Sequence, residues 1–273
     1  MAFFTTSDHT KIYYEDFGNG ERTIVFLHGL RDSHASFKER ADRLAEKYRI
    51  IVYDQRAHGR SDVPRAGYTI PRLAQDLQEL IDHLGLGRVI LIGYSLGVHV
   101  LYDYVKQFGE THIDSYVLSV MSPKIITDEN YKLGLNGNFP YEDAMRFIRK
   151  TKRYYPLIRL LGAATYSGDK KYKKQVAAFY KRARTMKKMP MVQLNIALAK
   201  GDYWPTLDTM TRPALVIAGE NDIYPVETHE TVCARLTDAK LAIIPDAGHL
   251  VLLERPDAYM KEIEDFLNGP ASR

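Results

Sequence analysis

The stretch that decides the fold is Val89-Ile90-Leu91-Ile92-Gly93-Tyr94-Ser95-Leu96-Gly97-Val98-His99-Val100. Its first part is a short, continuous apolar run rich in Val and Ile, which is typical of a buried strand. The run stops at a Gly-x-Ser-x-Gly pentapeptide, and a helical pattern begins directly after it. This order predicts a tight turn from strand to helix with Ser95 at the apex, where Gly93 and Gly97 leave room on either side.

The predicted position of Ser95 suits a nucleophile. The residue lies where a helix begins, and the free N–H groups and the helix dipole there favour a developing negative charge. A serine hydroxyl is a weak nucleophile near neutral pH and needs a base within hydrogen-bonding reach. The pentapeptide alone is also compatible with a flexible Gly/Ser turn, so the rest of the chain must supply the base.

Other apolar runs alternate with helical patterns along the chain. A hairpin is predicted over residues 3–17, buried strands at 23–27 and 48–53, and further strands at 116–121, 214–218 and 241–244. Amphipathic helices are predicted at 71–84 and 256–267, and another helix at 227–236. This alternation indicates a mostly parallel sheet with helices on both faces, in which ligands bind beyond the carboxyl ends of the strands.

The alternation of predicted strands and helices is interrupted between residues 124 and 207, and we call this segment the insert. It contains no convincing buried strand, and it carries Tyr and Phe at helical spacing among basic residues. From Lys124 to Lys200 there are 18 basic and 5 acidic side chains, whereas the whole chain has a formal charge of +4. We therefore predict a core formed by residues 1–123 and 208–273, with a cationic, all-helical insert.

Composition narrows the class of protein. A chain of 273 residues that is 45% hydrophobic suffices for one large α/β domain with an insert. No apolar run approaches the roughly 20 residues of a membrane span, and the first residues do not resemble a signal peptide. The single cysteine, Cys233, excludes an internal disulfide. We expect a cytoplasmic protein without metal or cofactor.

Two further residues extend the pattern around Ser95. Asp222 and His249 each follow a predicted strand, which gives the order nucleophile, acid, base. The chain resembles the α/β-hydrolase fold family at five sites, which occur in the same order as in that family. These sites are residues 28–29, residues 54–61, the pentapeptide, residues 219–222 and residues 247–249. The resemblance implies a mostly parallel central sheet covered by helices on both faces. It also implies that the insert is a helical lid placed after the sixth strand.

The resemblance assigns a role to each of these residues. Ser95 would be the nucleophile and His249 the general base, while Asp222 would orient the imidazole and stabilise its charged form. Some relatives place the acid after the sixth strand, but here that position offers Met121-Ser122-Pro123 and no carboxylate. The oxyanion hole would use the backbone N–H groups of Leu30 and Leu96.

Other residues near these strand ends are candidates for substrate contacts. They comprise Gly29, Arg31, Tyr94, Met121, Trp204, Ile223 and Leu250. For Trp204 a second role stays open, which is to anchor the strand that returns from the insert. His28, His58 and His99 are interpreted instead as packed or turn-forming residues. Asp54 and Arg56 are interpreted as an ion pair with each other or as braces of their loop.

The resemblance predicts a serine hydrolase that cleaves an ester or lactone of a small to medium substrate through an acyl-enzyme. A Ser nucleophile argues against haloalkane dehalogenases and epoxide hydrolases of this fold, which use Asp. Lactonases or carbon–carbon bond hydrolases for anionic substrates, haloperoxidase-like perhydrolases, lyases and ligand-binding receptors remain open. We expect a small-molecule partner and no nucleic acid, because no base-reading motif accompanies the lysine pairs. The oligomeric state is left open.

Overall fold

A computed structural model describes residues 2–150 and 173–269, and its centre is an eight-stranded sheet. The strands are β1 (Ala2–Thr5), β2 (Lys11–Phe17), β3 (Arg22–Leu27), β4 (Tyr48–Tyr53), β5 (Val89–Tyr94), β6 (Ile113–Ser119), β7 (Ala214–Gly219) and β8 (Ala239–Ile244). Each predicted strand is present, and the predicted hairpin is formed by β1 and β2. The sixth strand ends two residues earlier than the sequence pattern indicates.

The sheet is mostly parallel. Its order is β1-β2-β4-β3-β5-β6-β7-β8, and only the pairs β1–β2 and β2–β4 are antiparallel. After β3 the chain continues to β4 on one side and then returns to β5 on the other side. The strand order therefore reverses between β3 and β5, which is where open α/β sheets bind ligands.

Helices cover both faces of the sheet. They are α1 (Ala35–Ala41), α2 (Ile70–His83), α3 (Leu96–Phe108), α4 (Tyr141–Lys150), α5 (Lys173–Ala183), α6 (Lys188–Lys200), α7 (Trp204–Leu207), α8 (Val226–Arg235), α9 (Val251–Glu254) and α10 (Pro256–Asn268). In α2, the Thr69 side chain caps the N-terminus by accepting the Arg72 N–H, and Pro71 occupies the first turn. The short helices α7 and α9 have too few residues to give a periodic signal.

The strand β5 lies at the centre of the hydrophobic core. Leu91 packs in the apolar cluster on one face of the sheet, and Ile90 and Ile92 pack in the cluster on the other face. Every residue of β5 is buried. A strand covered on both faces gains from an uninterrupted apolar sequence, and this explains why the run before Ser95 does not alternate with polar residues.

The insert follows the sixth strand, as predicted, and its described residues include helices α4, α5, α6 and α7. In its described residues, 124–150 and 173–207, there is one isolated β-bridge, between Lys124 and Asp202, and no strand. Residues 151–172 of the predicted insert lie outside the described residues, and its division from the core at 123 and 208 stays a prediction. None of the helices in residues 2–150 and 173–269 is long and apolar enough to cross a membrane.

Candidate active site

The turn after β5 has the strained geometry that its sequence predicts. Ser95 has φ 51° and ψ −116°, a conformation that non-glycine residues rarely adopt. A Cβ atom on Gly97 would lie 2.2 Å from the Leu27 carbonyl oxygen, and one on Gly93 would lie 3.0 Å from the Val98 nitrogen. The two glycines are therefore required because the strand, the turn and the helix approach each other closely.

Three side chains from the ends of three strands form a continuous hydrogen-bonded chain. His249 Nε2 lies 3.1 Å from Ser95 Oγ, and His249 Nδ1 lies 2.7 Å from Asp222 Oδ1. The Ile223 N–H also donates to Asp222 Oδ1, over 2.6 Å. This geometry suits a serine whose proton is taken by an imidazole that a carboxylate orients.

The electrostatic environment keeps the Asp222 carboxyl ionised. Burial by itself raises its pKa, but the charge of His249 and hydrogen bonds from His229 and His249 outweigh burial and hold the pKa well below its usual range. Tyr94 and Tyr224 lie nearby, and burial raises the pKa of both phenols well above 10, so both are neutral. An ionised Asp222 can therefore stabilise a proton on His249.

The two expected oxyanion donors lie at adjacent strand ends. Leu96 is the first residue of α3, so its N–H has no acceptor within the helix. Leu30 follows β3, and it lines the cavity beside Ser95. A Cβ atom on Gly29 would lie 3.4 Å from Ser95 Cβ, which is van der Waals contact, so this loop passes directly beside the nucleophile.

A buried histidine braces the loop that carries Leu30. His28 donates from Nδ1 to the Gly29 carbonyl over 2.8 Å, and its Nε2 accepts the Gln55 N–H over 3.0 Å. Burial lowers the pKa of His28 to about 4, so the ring is neutral near pH 7 and can accept at one nitrogen while donating from the other. This confirms that His28 packs in a turn.

Ser95 and His249 line a cavity with a volume of about 130 Å³. Its walls are mainly apolar, and much of the lining comes from the insert: Ile125, Leu135, Phe139, Ala144, Phe147, Ile148, Phe179, Asn195, Leu198 and Ala199. Most of the candidate substrate contacts also line it, namely Gly29, Arg31, Tyr94, Met121, Ile223 and Leu250. The sequence pattern gives no means of choosing the insert residues, because their positions depend on how α4–α6 pack over the sheet.

Trp204 does not line this cavity, so its prediction as a substrate contact is wrong. Its indole N–H donates to the Tyr131 hydroxyl over 3.0 Å, and its ring lies 5.7 Å from the Arg235 guanidinium carbon. The residue begins the short helix α7, and its ring contacts Tyr131 and Arg235. Trp204 thus anchors the end of the insert.

The polar residues after β4 are braces, but they do not pair with each other. Arg56 is fully buried and bonds both oxygens of Asp76 at 2.6 Å. Asp54 accepts instead from His34 and from the Arg60 N–H. The interpretation of Asp54 and Arg56 as a mutual ion pair is therefore wrong, whereas their interpretation as braces of this loop is confirmed.

Two polar residues of the Leu30 loop contact the insert. Arg31 lies in the cavity wall, is 3% exposed, and donates from Nη2 to the Met191 sulfur of α6. Its φ of 67° is a left-handed conformation that is unusual for arginine. Asp32 accepts from Arg182 of α5 over 3.3 Å and from Ser36 over 2.7 Å. The insert is thereby connected to the loop that carries an expected oxyanion donor.

One residue near the hydrogen-bonded chain has no counterpart in the sequence interpretation. His229, on α8, places Nε2 at 3.1 Å from Asp222 Oδ2 and is buried. It lies seven residues after Asp222, and only the packing of α8 beside the loop after β7 brings the two together. No motif in the chain indicated this contact.

A family model described as the alpha/beta hydrolase family matches residues 24–262, and the chain belongs to this family. The structure is similar to that of an esterase from Exiguobacterium antarcticum, with a TM-score of 0.90 and 25% identity over 98% of this chain and 99% of that one. The fold predicted from the sequence, with its helical lid after the sixth strand, is confirmed.

Two relatives indicate the chemical range of similar chains. A non-heme haloperoxidase from Rhodococcus erythropolis is 27% identical over 98% of this chain and all of its own length. A 2-(acetamidomethylene)succinate hydrolase from Mesorhizobium japonicum is 26% identical over 90% of this chain and 88% of its own. The family and its esterase neighbour support hydrolase activity, and they leave the bond that is cleaved to be determined.

Proposed function

We propose that the protein is a serine hydrolase that cleaves a carboxylic ester or lactone of a small to medium substrate through an acyl-enzyme on Ser95. The observation that carries the proposal is the hydrogen-bonded arrangement of Asp222, His249 and Ser95 at the wall of an apolar cavity. Asp222 Oδ1 lies 2.7 Å from His249 Nδ1, and His249 Nε2 lies 3.1 Å from Ser95 Oγ. The esterase neighbour supports the same reaction class.

In the first step, Ser95 Oγ attacks the substrate carbonyl carbon while His249 Nε2 accepts the hydroxyl proton. Asp222 stabilises the resulting imidazolium. The carbonyl oxygen becomes an oxyanion, which accepts hydrogen bonds from the N–H groups of Leu30 and Leu96. Each such donor stabilises the transition state by about 3 kcal/mol. The intermediate collapses, the C–O bond to the alcohol breaks, and the imidazolium protonates the departing oxygen.

In the second step, His249 removes a proton from a water molecule that attacks the acyl carbon. The bond to Ser95 Oγ breaks, His249 returns the proton to that oxygen, and the carboxylic acid leaves. The reaction consumes one water and needs no redox partner. The side chains that these two steps require are those of Ser95, His249 and Asp222.

The lining of the cavity indicates what the substrate carries. Phe139, Phe147 and Phe179 present aromatic surface, and Ile125 and Leu198 present aliphatic surface. Burying an apolar acyl or alcohol group against such walls contributes about 25 cal/mol per Å². An ester or lactone with an apolar group next to the scissile bond fits this environment.

A second candidate is a lactonase or carbon–carbon bond hydrolase for a carboxylate-bearing substrate. Arg31 favours it, because a guanidinium in the wall of an apolar cavity can form charge-assisted hydrogen bonds to a carboxylate. The relative from Mesorhizobium japonicum is named for a succinate. The cationic insert would also raise the local concentration of anions near the cavity.

The test is hydrolysis of a panel of p-nitrophenyl esters from acetate to palmitate, with γ-lactones and an anionic ester, by the wild type and Ser95→Ala. Turnover of esters or lactones that is lost in Ser95→Ala supports the proposal. Preference for the anionic ester over the neutral esters and lactones selects the second candidate. A folded protein that is inactive on the whole panel rejects both ester and lactone cleavage, and its assays then turn to carbon–carbon cleavage, cyanide release and ligand binding.

A further inference from the structure

The Asp222 carboxylate is held between two histidines. Oδ1 accepts from His249 Nδ1 at 2.7 Å, and Oδ2 lies 3.1 Å from His229 Nε2. The Asp222 side chain is fully buried, and that of His229 is 1% exposed. The reaction proposed above uses His249 and assigns nothing to His229.

We infer that His229 is a positioning residue for this reaction, and the inference rests on the proposed function of Ser95. A carboxylate bonded through one oxygen can turn about its Cβ–Cγ bond. Here the Ile223 N–H and His249 bond Oδ1 while His229 bonds Oδ2, so the plane of the carboxylate is fixed from both sides. His229 thereby keeps Oδ1 directed at His249 through the catalytic cycle.

The chemistry of the partners sets the proton positions. An ionised carboxylate only accepts, so His229 must carry its proton on Nε2, and His249 must carry one on Nδ1. The latter leaves His249 Nε2 free to accept the proton of Ser95. Tyr94 and Tyr224 also face Asp222, but both phenols are neutral because burial raises the pKa of each well above 10. In the described residues, the two histidines are thus the side chains that stabilise the Asp222 charge, and the Ile223 N–H is a further donor to Oδ1.

Loss of the His229 donor has a consequence that a purely structural role does not have. Without it, the buried Oδ2 becomes a stronger base, and the coupled pair of Asp222 and His249 holds its proton to higher pH. Because His249 must be unprotonated to accept from Ser95, the acid limb of kcat/KM moves to higher pH. The loosened carboxylate also orients His249 less well, which lowers kcat.

The experiment compares His229→Leu, His229→Asn and His229→Gln with the wild type. A Gln side chain reaches the position of Nε2 with its amide N–H₂, whereas Asn is too short and Leu has no donor. For Leu and Asn we expect kcat to fall about tenfold and the acid limb to move up by on the order of one pH unit. We expect Gln to restore both, and KM to change little, because His229 does not line the cavity.

His99→Leu is the matched control, since His99 is also fully buried, on α3, and bonds the Ser122 carbonyl. It loses stability in the same way but should leave the acid limb where it is. Wild-type kcat and acid limb in His229→Leu overturn the inference. If that variant does not fold, equal kcat and equal acid limbs for Asn and Gln overturn it. Activity that survives Ser95→Ala instead rejects the proposed function, so the two failures are distinguishable.

Discussion

His249 Nε2 lies 3.1 Å from Ser95 Oγ, although 154 residues separate the two in the chain. The contact exists because β5 and β8 are parallel strands of one sheet, so the loops that follow them lie at the same edge. Asp222 reaches the same edge from β7, which pairs with β8. The topology thus assembles a nucleophile, a base and an acid that the sequence keeps far apart.

Gly97→Ala should destroy the turn that exposes Ser95. The new Cβ atom would lie 2.2 Å from the Leu27 carbonyl oxygen, so strand or helix must shift. We expect the free energy of unfolding to fall by about 3 kcal/mol or more, with loss of hydrolysis. Chemical denaturation checks this against Gly87→Ala, where nothing lies within 4 Å of the added Cβ atom. Equal stability of the two variants would contradict the close approach described for the turn.

Stability should decrease as the pH falls below about 6.5. Burial lowers the pKa of His28 and His99 to about 4 and that of His58 to about 3, whereas the value for an unperturbed histidine is 6.5. Between these values the unfolded chain binds more protons than the folded protein. The free energy of unfolding therefore falls with decreasing pH by about 1.4 kcal/mol per pH unit for each histidine.

Equilibrium denaturation of the wild type and His99→Gln between about pH 7 and about pH 4 measures this slope. Removing one buried histidine should reduce this slope by about 1.4 kcal/mol per pH unit, which corresponds to one proton. His83→Gln, at the exposed end of α2, is the control and should retain the wild-type slope. A slope that is the same in all three proteins would show that the buried rings do not govern acid stability.

Arg31→Gln tests whether the cavity selects anionic substrates. If the guanidinium binds a substrate carboxylate, we expect KM for an anionic ester to rise about tenfold while KM for a neutral ester of the same size stays the same. Lys200→Gln removes a charge from an exposed position of α6 and is the control. A similar rise in KM for both esters would assign Arg31 a packing role. A rise of the same size in Lys200→Gln would assign the selectivity to the overall positive charge of the insert.

Arg182→Gln tests the connection between the insert and the Leu30 loop. Arg182 donates to Asp32 and to Ser36, and its loss should let the loop that carries the expected Leu30 donor move. We expect kcat/KM to fall about threefold to tenfold with little change in the melting temperature, because the side chain is 31% exposed. Steady-state kinetics beside thermal unfolding measure both quantities. Unchanged kinetics would show that the Leu30 loop keeps its position without this contact.

The arrangement of Ser95, Asp222 and His249 could be predicted because it depends on strand order and on short loops. Each of these residues lies within five residues of the end of a strand, and short apolar runs identify such strands well. The family resemblance supplied the connection between the strands. The same reasoning placed Gly29 and Arg31 in the cavity wall, since both follow β3 within a few residues.

The residues that could not be predicted owe their positions to helix packing. His229 reaches Asp222 only because α8 packs beside β7 and β8, and sequence periodicity does not fix the rotation of a helix about its axis. Phe147 and Phe179 reach the cavity because α4 and α5 cover the sheet edge, which depends on the path of the insert. The sequence leaves open whether Trp204 lines the cavity or anchors the end of the insert, because helix α7 is too short to show a periodic pattern.

Covalent trapping measures whether Ser95 is the nucleophile of the proposed reaction. The wild type and Ser95→Ala would be incubated with a fluorophosphonate, and intact-protein mass spectrometry with peptide mapping would locate any adduct. We expect one adduct on the wild type, on Ser95, with parallel loss of ester hydrolysis, and no adduct on Ser95→Ala. A wild type that hydrolyses esters but takes up no label, or a Ser95→Ala variant that is labelled equally fast, would contradict the nucleophilic role of Ser95.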